Sequence, residues 1–150
     1  MGWIKAFLSN PFAMTGILAW LIAQVVKTII HFTVFKKLDI HRMFGDGGMP
    51  SGHSATVASL AMMCALRCGL ESVEFAISGI LAVIVCRDAV GVRRETGKQA
   101  TVIKELLQSA EQEHDHADLK ELVGHTPLQV LMGGIIGLGT ALLMHFVVLQ

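Results

Sequence analysis

Two histidines, His53 and His125, and four cations, Lys27, Arg42, Arg87 and Arg94, are the side chains of this sequence best suited to chemistry on an anion. His53 closes a turn rich in glycine and proline, residues 45–52, that opens a mostly apolar stretch. A proline at a helix start, small residues that admit a ligand close to backbone N–H groups, and the positive end of the helix dipole together describe an anion site around Ser51 and Gly52. The ligand expected there is a phosphate. An imidazole can attack phosphorus, or it can carry the proton that a leaving alkoxide needs and later activate water. Guanidinium and ammonium groups stabilise the charge on the phosphoryl oxygens, the guanidinium by a bidentate grip.

Residues 50–53, Pro-Ser-Gly-His, match the signature of the type 2 phosphatidic acid phosphatases, the superfamily that includes the vanadium haloperoxidases. Residues 47–55, 88–100 and 124–133 resemble its small divergent branch of acid phosphatase/haloperoxidase-related membrane proteins. The resemblance implies a lipid phosphatase that needs no metal and no cofactor and works through a phosphohistidine. It also implies that His125 is the nucleophile, that His53 is the general acid, and that Lys27, Arg42, Ser51, Gly52 and Arg87 or Arg94 hold the phosphate. Spacing alone assigns neither histidine its role. In ordinary members the lysine and arginine of the first motif stand closer together than Lys27 and Arg42 do. Their third-motif arginine also lies a few residues before the second histidine, whereas here an insertion separates Arg87 from His125. The aspartate expected four residues after the nucleophile is replaced by Gln129, which can hydrogen-bond an imidazole and brings no charge. Asp88 or Glu95 is a candidate substitute. Loss of such an orienting carboxylate lowers rates by orders of magnitude in other histidine systems, so binding of a lipid phosphate without hydrolysis is the competing reading.

Composition sets the solvent. The chain has 150 residues, 53% of them apolar and 16% charged, too apolar for a soluble domain of this size and long enough for one membrane-embedded domain. Formal net charge is zero, and no cluster of basic residues interleaved with aromatics points to nucleic acid. Cys64, Cys68 and Cys86 lie in apolar runs and read as buried thiols. The acidic and histidine residues at 111–118 read as a solvated face, with no metal site expected.

The elements that must position these groups follow from hydropathy. An amphipathic lead, residues 1–10, precedes a span at about 11–35, in which Trp20, Gln24, Lys27 and His31 recur at helical spacing and form one polar stripe. An ammonium inside an apolar span requires a partner or a polar cavity, so that stripe should face protein. Further spans are expected at about 51–68, 73–92 and 126–148. An amphipathic insertion at about 95–124 joins the last two. Arg87, Gly91 and Arg94 fall on one helical face if the helix continues unbroken. Thr126 and Pro127 mark a helix start beside His125. The architecture expected is all-α, a bundle of four transmembrane helices. With four alternating spans, eight cations (Lys36, Lys37, Arg42, Arg93, Arg94, Lys98, Lys104, Lys120) share one side against two on the other (Lys5, Arg67). The first side is therefore expected to be cytoplasmic, as in a bacterial inner membrane, with both termini outside. Lys27, Arg42, His53, Arg87, Arg94 and His125 all come to that face. Gly133 and Gly137 have the small-residue spacing of close helix packing, and a homodimer through that face is expected.

Overall fold

Asn10 starts the first long helix. Its side-chain oxygen accepts from the N–H of Phe12 at 2.9 Å and of Ala13 at 3.3 Å, and Pro11 occupies the first turn, where its missing N–H costs nothing. This helix, α2 (Pro11–Phe35), follows a short exposed helix, α1 (Gly2–Leu8), and ends at Lys36 in the left-handed region, φ 54°. The structure is a computed structural model that describes residues 2–36, 48–109 and 124–148, and among these residues no strand occurs. After a turn containing a cis Met49–Pro50 bond come α3 (Gly52–Cys68), α4 (Val73–Val90), α5 (Val92–Ser109) and α6 (Pro127–Leu143). A π-helical stretch, Met144–Val148, extends α6.

The centre of the bundle is α3, which packs against α2, α4 and α6. Glycines set the approach. A Cβ on Gly133 would collide with the Ser51 carbonyl oxygen, and one on Gly137 with the Ala55 carbonyl oxygen. That register makes α3 and α6 parallel and brings their backbones into contact through small residues. The face expected to form a homodimer is therefore covered within one chain, by α3. Against α2 the register runs the other way: Gly16 faces Thr56, Gly52 faces Trp20, and Gly48 faces Lys27.

Burial is inverted relative to a water-soluble domain. The buried set includes Thr15, Gln24, Lys27, Ser51, Ser54, Ser59, Ser78, His125 and Thr140, whereas Ile17, Leu21, Val25, Ile29 and Phe32 form an exposed apolar stripe down α2. Leu128, Leu131, Ile135, Leu138 and Leu142 do the same on α6. Buried hydroxyls are satisfied locally, as where Thr15 donates to the Pro11 carbonyl at 2.6 Å and Thr140 to that of Ile136 at 2.8 Å. Large apolar surfaces outside and locally bonded hydroxyls inside suit hydrocarbon as the solvent.

Among the described residues, three helical stretches are long and apolar enough to cross a membrane, Pro11–Val34, Val73–Leu106 and Pro127–Val148, rather than the four expected. The exception is α3, whose 17 residues extend roughly 25 Å at 1.5 Å per residue. It is rich in Ala and Ser because its neighbours, not lipid, surround it. The expected continuation of α4 also changes, since Gly91 (φ −93°, ψ −94°) interrupts the helix. The regular repeat that would align Arg87, Gly91 and Arg94 is broken there.

Candidate functional site

Ser51 organises the mouth of α3. Its Oγ accepts from the Ser54 N–H at 3.3 Å and from the Ser54 hydroxyl at 2.9 Å, while its own N–H donates to the Gln129 carbonyl at 3.0 Å. The hydroxyl and the N–H of Ser51 are thus committed to capping α3 and to tying it to the first turn of α6. By helix geometry, the amides left at the mouth are those of Gly52 and His53. Gly52 is buried beneath α2: a Cβ there would lie 3.1 Å from Trp20 Cδ1, 3.3 Å from Trp20 Nε1 and 3.9 Å from Gln24 Cδ. From Gly52 to Leu66, His53 alone is exposed. Every other residue of that stretch is buried or half-buried.

Lys27 reaches the same turn. It is only 7% exposed, and its stem packs over Gly48, with Cδ 3.6 Å from where a Cβ would stand. Gly48 has φ +95°, a conformation other residues rarely adopt, so the lysine stem lies directly over backbone. Of the stripe Trp20, Gln24, Lys27 and His31, Gln24 and Lys27 are buried and Trp20 and His31 half-buried. Gln24 is 6% exposed, and its Oε1 is buried without a hydrogen-bond partner among the described residues.

His125 is held by backbone on the far side of the mouth. Its N–H donates to the Ala89 carbonyl at 2.9 Å, near the end of α4, and the residue is 4% exposed. Gly124, φ +96°, lies flush against the Arg93–Arg94 backbone, where a Cβ would collide with the Arg94 nitrogen. The corner between α4 and α5 is thus fixed beside His125. Thr126 and Gln129 form a capping box: Gln129 N–H donates to Thr126 Oγ1 at 3.3 Å, and Thr126 N–H donates to Gln129 Oε1 at 2.9 Å.

A family model described as the Divergent PAP2 family matches residues 8–140. This chain belongs to that family. Its similarity to the uncharacterized membrane protein YuiD of Bacillus subtilis (strain 168) is 40% identity over 93% of this chain and 96% of the relative. No solved structure matches the chain.

In this divergent PAP2 membrane protein, the starts of α3 and α6 and the end of α4 come together at one end of the bundle, beside Trp20, Gln24 and Lys27 of α2. That end carries Lys27, Ser51, Gly52, His53, Arg87, Asp88, His125 and Gln129. Arg94 follows the corner, and both it and Arg87 are exposed. Asp88 pairs with Arg93, its Oδ2 2.6 Å from the guanidinium Nε, in a pair exposed by about two fifths. Glu95 accepts from Lys98 Nζ at 2.6 Å. Arg42 lies outside the described residues, as do Glu111, Glu113, His114, Asp115, His116 and Asp118. Sequence reasoning did not anticipate two features: the lid that Trp20 forms on Gly52, and the commitment of Gln129 to a helix cap. The Thr-x-x-Gln spacing of residues 126–129 signals the second.

Proposed function

We propose that the protein is a membrane lipid phosphatase, hydrolysing a phosphomonoester or diphosphate of a phosphatidate, phosphatidylglycerophosphate or polyprenyl phosphate type at the cytoplasmic leaflet. The single observation that carries this reading is the parallel pairing of α3 and α6, whose first turns are joined by the Ser51 N–H and the Gln129 carbonyl. Two histidine-bearing helix mouths thereby open at one end of the bundle, beside a buried lysine. In the reaction, a neutral His125 nitrogen attacks phosphorus and the bond to the lipid oxygen breaks. The leaving alkoxide takes a proton from His53. Water then gives a proton back to His53, its oxygen attacks phosphorus, and the phosphorus–nitrogen bond breaks to release phosphate and His125. Lys27, the arginines at positions 42, 87 and 94 and the amides near Gly52 stabilise the transition state.

With α3 as a fourth, sheltered span, the bundle has both termini outside and the histidine end inside, in keeping with the distribution of basic residues. A second reading, binding of a lipid phosphate without turnover, is favoured by Gln129. Its side-chain oxygen caps α6, and it supplies no carboxylate to orient an imidazole.

The two readings part on one assay. Purified protein is given a panel of lipid phosphates in mixed micelles, with and without vanadate, alongside His125→Ala and His53→Ala. Phosphate release that vanadate blocks, and that each substitution lowers by about 10²–10⁴-fold, is the outcome expected of the enzyme. Saturable lipid-phosphate binding with no phosphate released would replace it with the binder.

A further inference from the structure

A groove of about 460 Å³ opens between α1, α2 and α3, walled by Phe7, Phe12, Gly16, Ile17, Trp20 and Leu60. Its lining is almost wholly hydrocarbon, and its volume falls in the range of pockets that hold small organic ligands. Trp20 joins it to the site described above, because the indole that walls the groove also covers Gly52. Since α2 and α3 are antiparallel, the groove runs from Trp20 away from that site, along the bundle, toward Phe12 and α1. From residue 20 back to residue 12 that is roughly 12 Å at 1.5 Å per residue.

Gly16 lies midway along this path. Glycine in a helix interior costs about 1 kcal/mol relative to alanine, yet a Cβ here would meet Thr56 Cγ2 at 3.5 Å and the Thr56 carbonyl oxygen at 4.0 Å, both ordinary contacts. Helix packing therefore does not require glycine at this position. A larger side chain would stand in the groove.

We propose that the groove holds a hydrocarbon chain of the lipid whose phosphate binds at the mouth of α3, with Gly16 and Ile17 setting the room available to that chain. The proposal rests on the lipid-phosphate reading above and adds to it the path of the tail. A chain anchored by its headgroup beside Gly52 descends past Trp20 into the bilayer along α2, whereas a lipid lacking the phosphomonoester has no anchor and only brushes the groove as annular solvent. The ligand is accordingly a phosphate ester with at least one long chain, and not a soluble phosphate.

The test uses the full chain in phosphatidylcholine nanodiscs containing a small fraction of phosphatidic acid with a diazirine midway along one acyl chain. A parallel sample carries the same diazirine on phosphatidylcholine. After illumination, labelled residues are mapped by mass spectrometry. The expected result is several-fold more labelling of α2 between residues 12 and 20, and of Leu60, from the phosphatidic acid probe. Gly16→Leu removes this excess. Ile17→Trp, a change at the exposed rim of the groove, removes it too. Equal labelling by the two probes, an excess mapped to another face, or an excess unchanged in both variants overturns the tail site. Should the excess persist while no lipid phosphate is hydrolysed in the assay above, the hydrolytic reading falls and the tail site stands.

Discussion

Lys27 carries an ammonium into an apolar helix, and its stem lies over Gly48 at the entrance to the Pro-Ser-Gly-His turn. Lys27→Met keeps the length and removes the charge. We expect vanadate inhibition and lipid-phosphate affinity to weaken roughly 10–100-fold, the loss of one charged hydrogen bond. Unchanged vanadate inhibition would remove Lys27 from the site. Thr126 supports the site through geometry. Thr126→Ala breaks the capping box of α6 and should destabilise the protein by about 0.5–2 kcal/mol in a detergent unfolding titration, with a fall in phosphate release smaller than that of His125→Ala. These residues were legible in the sequence as types: a lysine in a span, a histidine beside a helix start. The capping role of Gln129 follows from its spacing from Thr126, which its place four residues after His125 does not reveal.

At the level of helices, the glycines of α6 separate by face. Gly133 and Gly137 abut the carbonyls of Ser51 and Ala55, while a Cβ on Gly134 or Gly139 would meet nothing within 4 Å. Gly133→Val and Gly137→Val force the α3–α6 pair apart and should each destabilise by about 1–3 kcal/mol or more. Gly134→Ala should be neutral or slightly stabilising, since it lowers the entropy cost of a helical glycine. Losses at positions 133 and 137 no larger than at 134, followed by thermal unfolding, would show that the pair tolerates separation. The helix starts at Pro11, Ser51 and Thr126 were legible because caps and prolines act locally. The break at Gly91 was hidden, since glycine within an apolar run permits either a continuous helix or a turn, and the contact of Gly124 with the Arg93–Arg94 backbone is long-range in the chain.

On the scale of the whole protein, orientation is the property most open to test. His53 and Cys68 stand at opposite ends of α3, and both are exposed. In a variant with Cys64 and Cys86 replaced by alanine, a membrane-impermeant maleimide applied to intact cells should label Cys68. The same reagent should reach a cysteine introduced by His53→Cys, in a chain lacking Cys68, only after the membrane is opened. The reverse pattern would place the histidine end outside and overturn the cytoplasmic assignment. The basic residues predicted this sidedness through their uneven distribution among loops, a property of sequence that needs no packing.

What the sequence determined by itself was the solvent, the helical starts, the polar stripe on α2 and the family motif. Each of these depends on composition or on neighbours within a few residues, where hydropathy, capping and helical periodicity act. Tertiary structure alone decided that α3 is the sheltered centre, that Gly133 and Gly137 serve an internal contact, and that an apolar groove leads to Trp20. Those outcomes depend on which faces meet across helices far apart in the chain. Periodicity marks a face as small or apolar, and close packing decides what lies against it.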